Sequence, residues 1–156
     1  MGAAMSEDPS SIRRSEHEQI DRLVSDESGS AVADIAKIEV VGIGASAGGI
    51  EALGHFFDVM PADSGCAFVV VLHLDPKRES EMAHVLSART TMTVVQIEDG
   101  MRIKANHVYV IAPDTDVKVG DGRLHVSKPT KPRGQRHPVD VLFRSLALDQ
   151  HERAVA

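Results

Sequence analysis

The sequence has no tryptophan, a single tyrosine, four phenylalanines and a single cysteine in 156 residues. With so few aromatics, any core must be built mainly from aliphatic side chains within the 42% hydrophobic content. One cysteine, Cys66, excludes an intrachain disulfide. It fits a reducing compartment, so a cytoplasmic location is expected. Cys66 opens an apolar run, where a small buried residue is expected. No stretch approaches the roughly 20 apolar residues that a membrane span needs, so no membrane insertion is expected. The polar N-terminus lacks the apolar centre of a secretory signal. A net charge of −6 gives no support for a nucleic-acid partner. The histidines His17, His55, His84, His107, His125, His137 and His151 show no ligand spacing such as H-E-x-x-H. Neither a metal nor another cofactor is therefore expected, and surface or capping roles are their default.

The charge is unevenly placed. Residues 1–36 hold eight acids against three arginines, a balance of −5, which leaves −1 for the rest. That segment is rich in Ser, Glu and Asp and poor in large apolar residues, so a disordered acidic tail is expected over 1–36. A transient helix is possible from Glu16 to Val24. A single domain is expected over 37–156.

From Lys37 the pattern alternates. Ile38 to Gly42 reads as a strand, and Gly49 to Val59 as a helix with Ile50, Leu53, Phe56, Phe57 and Met60 on its apolar side. Ala67 to Leu72 is continuously apolar, as in a parallel strand buried on both faces. A second helix is expected over Ser80 to Ala88, burying Met82, Val85 and Leu86, and a short strand over Thr93 to Ile97. His107 to Ala112 reads as a further strand. Val117 to Val126 reads as a β-hairpin turning at Gly120-Asp121-Gly122. A third helix begins at Pro138, a favoured first position, with Val139, Leu142, Phe143 and Leu146 facing inward. These elements predict an α/β fold: a doubly wound, mostly parallel, Rossmann-like three-layer sheet with a β-hairpin insertion. The β-α-β-α-β start implies right-handed crossovers and, most simply, a 3-2-1 order for the first three strands. The next parallel strand is expected beyond strand one, beginning near Arg153, with the C-terminal strands missing.

Two motifs overlap where strand one meets its helix. Gly42-x-Gly44-x-x-Ala47 fits a dinucleotide fingerprint, but that reading needs an acid at the end of strand two. Glu51 and Asp75 both fall at the wrong spacing. Gly44-x-Ser46-x-Gly48 fits a nucleophile elbow, a sharp and strained strand-to-helix turn that holds a serine hydroxyl out. The amides of Ala47 and Gly48 are candidates for meeting a developing oxyanion. His73 ends strand two as Ser46 ends strand one, and parallel neighbours lie roughly 4.8 Å apart. A serine with a histidine in reach is the minimum for acyl transfer, because the imidazole takes the hydroxyl proton and returns it to the leaving group.

Ile43-Gly44-Ala45-Ser46-Ala47-Gly48-Gly49-Ile50-Glu51-Ala52-Leu53 resembles the active-site segment of the chemotaxis protein-glutamate methylesterases, the CheB-type catalytic domain. So do Val71 to Pro76, Glu98 to Met101 followed by His107 to Pro113, and Arg136 to Ser145. The resemblance implies hydrolysis of γ-glutamyl methyl esters on the helical region of methyl-accepting chemoreceptors, and in some members deamidation of receptor glutamines. It implies Ser46 as nucleophile and His73 as base. Ala47 stands where the family commonly has threonine. The family's catalytic aspartate is expected in a Gly-rich loop beyond Ala156, so 37–156 is expected to be a partial domain. By the same resemblance, the chain is similar to the amino end of methylesterase–methyltransferase fusions. As it stands it is expected to be poorly soluble and nearly inactive. The alternatives are an inactive fragment, a dinucleotide-binding domain, or a docking module whose basic loop, Lys128 to Arg136, meets acidic receptor helices. For that loop a solvated charged turn is the plainer expectation.

Overall fold

A computed structural model describes residues 38–73, 81–132 and 135–156. The expected acidic tail, the helix over Glu16–Val24, Asp75, the Ser80 start of the second helix and Arg133 lie outside the described residues. The elements run β1 (Val40–Ser46), a 3-10 turn (Ala47–Gly49), α1 (Ile50–Val59), β2 (Ala67–His73), α2 (Met82–Ser87) and β3 (Thr93–Gln96). After these come β4 (Met101–Arg102), β5 (His107–Val110), β6 (Asp116–Gly120), β7 (Arg123–Ser127), α3 (Pro138–Gln150) and a short 3-10 turn (His151–Arg153).

β1, β2, β5 and β3 form a parallel sheet in that order. The 3-2-1 order is therefore wrong: β5 is inserted between β2 and β3. Burial accounts for the difference. Val108, Tyr109 and Val110 of β5 are all buried, as an inner strand requires, whereas Thr93 and Gln96 of β3 are exposed. The half-polar strand takes the edge, where only one side needs covering. β4, β7 and β6 form a separate antiparallel sheet, so the expected hairpin gains a third strand.

β2 is the core of the molecule. Ala67 to Leu72 are no more than 1% exposed, and successive residues feed opposite layers. Phe68, Val70 and Leu72 meet Leu53 and Phe57 of α1 and Met82 and Leu86 of α2. Val69 and Val71 meet Leu142 and Leu146 of α3 and the inner face of the small sheet, Val117, Val119 and Leu124. Each fully buried valine or leucine contributes roughly 1.5–3 kcal/mol. Three of the four phenylalanines gather in the first layer: Phe56, Phe57 and Phe68 pack edge to face with ring centroids 5.1 to 5.8 Å apart. α2 is shorter than expected, and Val85 is 41% exposed rather than buried, because Met82 and Leu86, one turn apart, already fill the contact. Cys66 is half-buried, not fully buried, at the turn before β2.

Two contacts fix the second layer. Tyr109 accepts a hydrogen bond from the Lys104 amide (2.9 Å) and donates to the Arg102 carbonyl (3.2 Å), tying β5 to the β4 segment. Burial pushes its phenol pKa up, and the Lys104 amide offsets part of that rise. α3 lies against β1 across two glycines. A Cβ on Gly42 would meet Leu146 and Phe143 at 3.0–3.3 Å, and one on Gly44 would meet the Val139 methyls at 2.5 and 3.0 Å.

Gly44→Ala should therefore lower stability by about 1–3 kcal/mol, the cost of overpacking. Val139→Ala in the same chain should recover part of that loss, as read by thermal denaturation of the single and double variants. Tyr109→Phe leaves the Lys104 amide and the Arg102 carbonyl without a partner. It should cost about 1–3 kcal/mol in chemical denaturation at unchanged secondary structure.

Candidate active site

The register of β1 against β2 runs from Val40↔Ala67 to Ser46↔His73. Ser46 and His73 are thus direct Cα partners at the last position of two neighbouring parallel strands. Their juxtaposition depends on the single connection through α1, which returns the chain to the same end of the sheet before β2 begins. The site sits at the carboxyl edge, where open α/β sheets place their ligands.

Ser46 is exposed, and its backbone is extended, with φ −99° and ψ 177°. The strained elbow expected from Gly44-x-Ser46-x-Gly48 is therefore not what forms. The chain leaves an ordinary strand conformation and enters a 3-10 turn at Ala47–Gly49, which feeds α1 directly. The two motif glycines also serve differently. Gly44 admits Val139, whereas a Cβ on Gly48 would meet nothing within 4 Å. Half of the motif is thus a packing requirement of β1 against α3. Alternation along β1 puts Gly42, Gly44 and Ser46 on one face, and α3 covers the first two. Ser46 is the next residue in that row, beside the first turn of α3. Ala47 and Gly48 lie in the 3-10 turn, as expected for residues following the serine.

Ser46 also ends an apolar groove of about 710 Å³ along the outer edge of β1, walled by Ala52, Leu53, Phe56, Phe143 and Val155. The expected strand beyond β1 begins here. Val155 forms a parallel bridge with Val41, and the Gly42 amide donates to the Val155 carbonyl at 2.8 Å.

Arg136, the last residue of the basic loop before α3, is held by two hydrogen bonds. Arg136 donates through Nη1 to Asp114 (2.8 Å) and through Nε to the Lys131 carbonyl (2.8 Å). With Lys131, Asp116, Asp140 and Arg144 it lines a small cleft of about 180 Å³ at the start of α3. Sequence reasoning missed this link between the loop and the start of α3. Its signal was the Pro138 helix start, directly after the basic run. Among the described residues, no group of three or more His, Cys, Asp or Glu side chains stands close enough to hold a metal ion. No helix there is long and apolar enough to cross a membrane.

The chain is similar to known proteins over these same elements. A protein from Vibrio vulnificus (strain YJ016), named protein-glutamate methylesterase/protein-glutamine glutaminase 2, is 30% identical over 131 residues, covering 81% of this chain and 38% of that protein. A protein of the same name from Shewanella sp. (strain MR-4) is 32% identical over 117 residues, covering 72% of this chain and 33% of that protein. The chain thus spans about a third of the length of these curated relatives. The crystal structure of the Thermotoga maritima CheB methylesterase catalytic domain superposes with a TM-score of 0.64 at 27% identity, covering 74% of this chain and 64% of that one. The family model for the CheB methylesterase matches residues 41–156, from β1 through the last residue. By sequence and fold alike, the chain belongs to the CheB methylesterase family.

Proposed function

We propose that this chain carries part of the machinery of a protein-glutamate methylesterase, with Ser46 as nucleophile and His73 as general base. The single observation that carries the reading is the pairing of these two residues at the ends of β1 and β2. A serine and a histidine on facing positions of adjacent parallel strands, whose backbones lie roughly 4.8 Å apart across the sheet, are within the reach of one hydrogen bond.

The chemistry follows from those groups. His73 takes the Ser46 proton as Oγ attacks the γ-carbonyl of a glutamyl methyl ester. The amides of Ala47 and Gly48 meet the oxyanion, as donors pre-set by the turn. His73 then gives the proton to the departing methoxide, releasing methanol and leaving an acyl-serine. Water, activated by the same imidazole, returns serine and a glutamate carboxylate. An amide follows the same path with ammonia leaving, which would make glutamine deamidation a second activity. The names of the relatives support both outcomes. The substrate we assign is the helical cytoplasmic region of methyl-accepting chemoreceptors, and the role is adaptation in chemotaxis. A cytoplasmic setting accords with one unpaired cysteine.

Ser46 is exposed, so Ser46→Ala should leave the fold intact. Methanol release from a methyl-esterified receptor fragment should fall at least about 10³-fold, and His73→Gln should fall comparably. The double variant should be no worse than either single one, since the two act as a unit. Wild-type release by folded Ser46→Ala protein, or by folded His73→Gln protein, overturns the reading.

A further inference from the structure

The three-stranded sheet turns a cationic face outward. Its inner residues, Val117, Val119 and Leu124, are buried in the core. Alternation then puts Arg102 of β4, Lys118 of β6, and Arg123 and His125 of β7 outward, and all four are exposed. The register sets them in two rows: Arg102 is the direct partner of Arg123, and Lys118 of His125. No acid occupies any of these four positions. The nearest acids are Asp99, whose carboxylate accepts from the Val126 amide of β7 at 2.8 Å, Asp116, in the next outward row opposite Ser127, and Asp121 in the β6–β7 turn.

Like charges directly opposite one another destabilise an antiparallel pair. The fold does little to relieve this one. Arg123 donates to the Gly100 carbonyl at 2.8 Å, and His125 Nε2 lies 3.3 Å from the Gly120 carbonyl oxygen. The side chains of Arg102 and Lys118 have no hydrogen-bond or ion-pair partner among the described residues. This concentration of positive charge occurs on a chain whose net charge is −6.

We propose that this face docks an acidic α-helix of a partner protein. The spacing fits that occupant. The two rows are two residues apart along the strands, about 6.8 Å at the usual strand rise. Carboxylates at i and i+4 of a helix are separated by about 6 Å along its axis. A helix laid along β7 therefore presents one glutamate to the Arg102–Arg123 row and the next to the Lys118–His125 row. The arginine row offers forked donors suited to a carboxylate. A single-stranded nucleic acid is a poorer fit, because such platforms stack bases on aromatic side chains. Apart from the His125 imidazole this face carries no aromatic ring, and the one tyrosine, Tyr109, is buried elsewhere. A membrane surface is also a poorer fit. The exposed large apolar residues, Val59, Val85, Leu148 and Val155, lie outside this sheet, so nothing on the face inserts among lipids.

The proposal is independent of Ser46 and His73. Its test uses the whole chain and a fluorescently labelled helical peptide with glutamates at i, i+4 and i+8. Anisotropy should report saturable binding that weakens as salt rises. Arg102→Glu and Lys118→Glu should each weaken binding about tenfold or more. Arg102→Glu replaces a like-charge pair with an opposite one, so its Tm should be unchanged or higher, which separates lost binding from lost fold. Arg89→Glu reverses a charge on the other side of the parallel sheet, in the α1–α2 layer, and should leave binding within about twofold. The proposal is overturned by absence of saturable binding or by wild-type affinity in both sheet variants. It is equally overturned if a proline-interrupted peptide of the same composition, single-stranded DNA or anionic vesicles bind as well as the helix.

Discussion

Gly42 and Gly44 have no side chains, and α3 occupies the space that side chains there would fill. Most of the second layer follows from that approach. With Val139, Phe143 and Leu146 seated on β1, the fully buried Leu142 and Leu146 join Val69 and Val71 of β2 in one core. The small sheet then closes over the same core, fastened to α3 by the Val119 amide on Ser145 Oγ (3.0 Å) and the Asp121 amide on Asp149 (2.9 Å). The same contact stops one residue short of Ser46 in its row. It leaves that hydroxyl at the mouth of the interface between strand and helix, not beneath it. The glycines of the motif thus connect packing to chemistry: the residue that lets the layers meet is two positions from the residue proposed to react.

The outer face of the small sheet presents the opposite case. Its inward residues obey the core, while its outward residues pair arginine with arginine at some cost to stability. Proteins hold such local conflicts mostly where a surface does something besides fold. The parallel sheet resolves its own conflicts. Its half-polar strand, β3, takes one edge, and Val155 begins to cover the other.

Much of this was legible along the chain. The continuous apolar run of Ala67–Leu72 could only be a strand covered on both sides. Pro138 and the Val139, Leu142, Phe143, Leu146 spacing marked α3 and its buried stripe. The Gly120-Asp121-Gly122 turn fixed the hairpin, with Asp121 and Gly122 both at positive φ. The errors have a common source. The 3-2-1 order assumed that strands close in sequence are close in space, and β5 displaced β3 because it had more apolar surface to bury. Val85 fell off its helix stripe because the partner surface was narrower than the periodicity implied. The strained elbow was inferred from a motif that Gly44 satisfies for packing reasons.

By itself the sequence determined the local states: which segments are strands or helices, where they turn, and that a Gly-rich turn carrying one serine ends the first strand. These depend on side-chain periodicity, backbone freedom at glycine and proline, and hydrophobicity, all of which are encoded within a few residues. Only the tertiary structure decided the strand order, the register that pairs Ser46 with His73, the seat of Val139 on Gly44 and the alignment of Arg102 with Arg123. Each of these is an outcome of competition between distant segments for the same buried surface. No short stretch contains the information, because the energy that settles it is shared across the whole core.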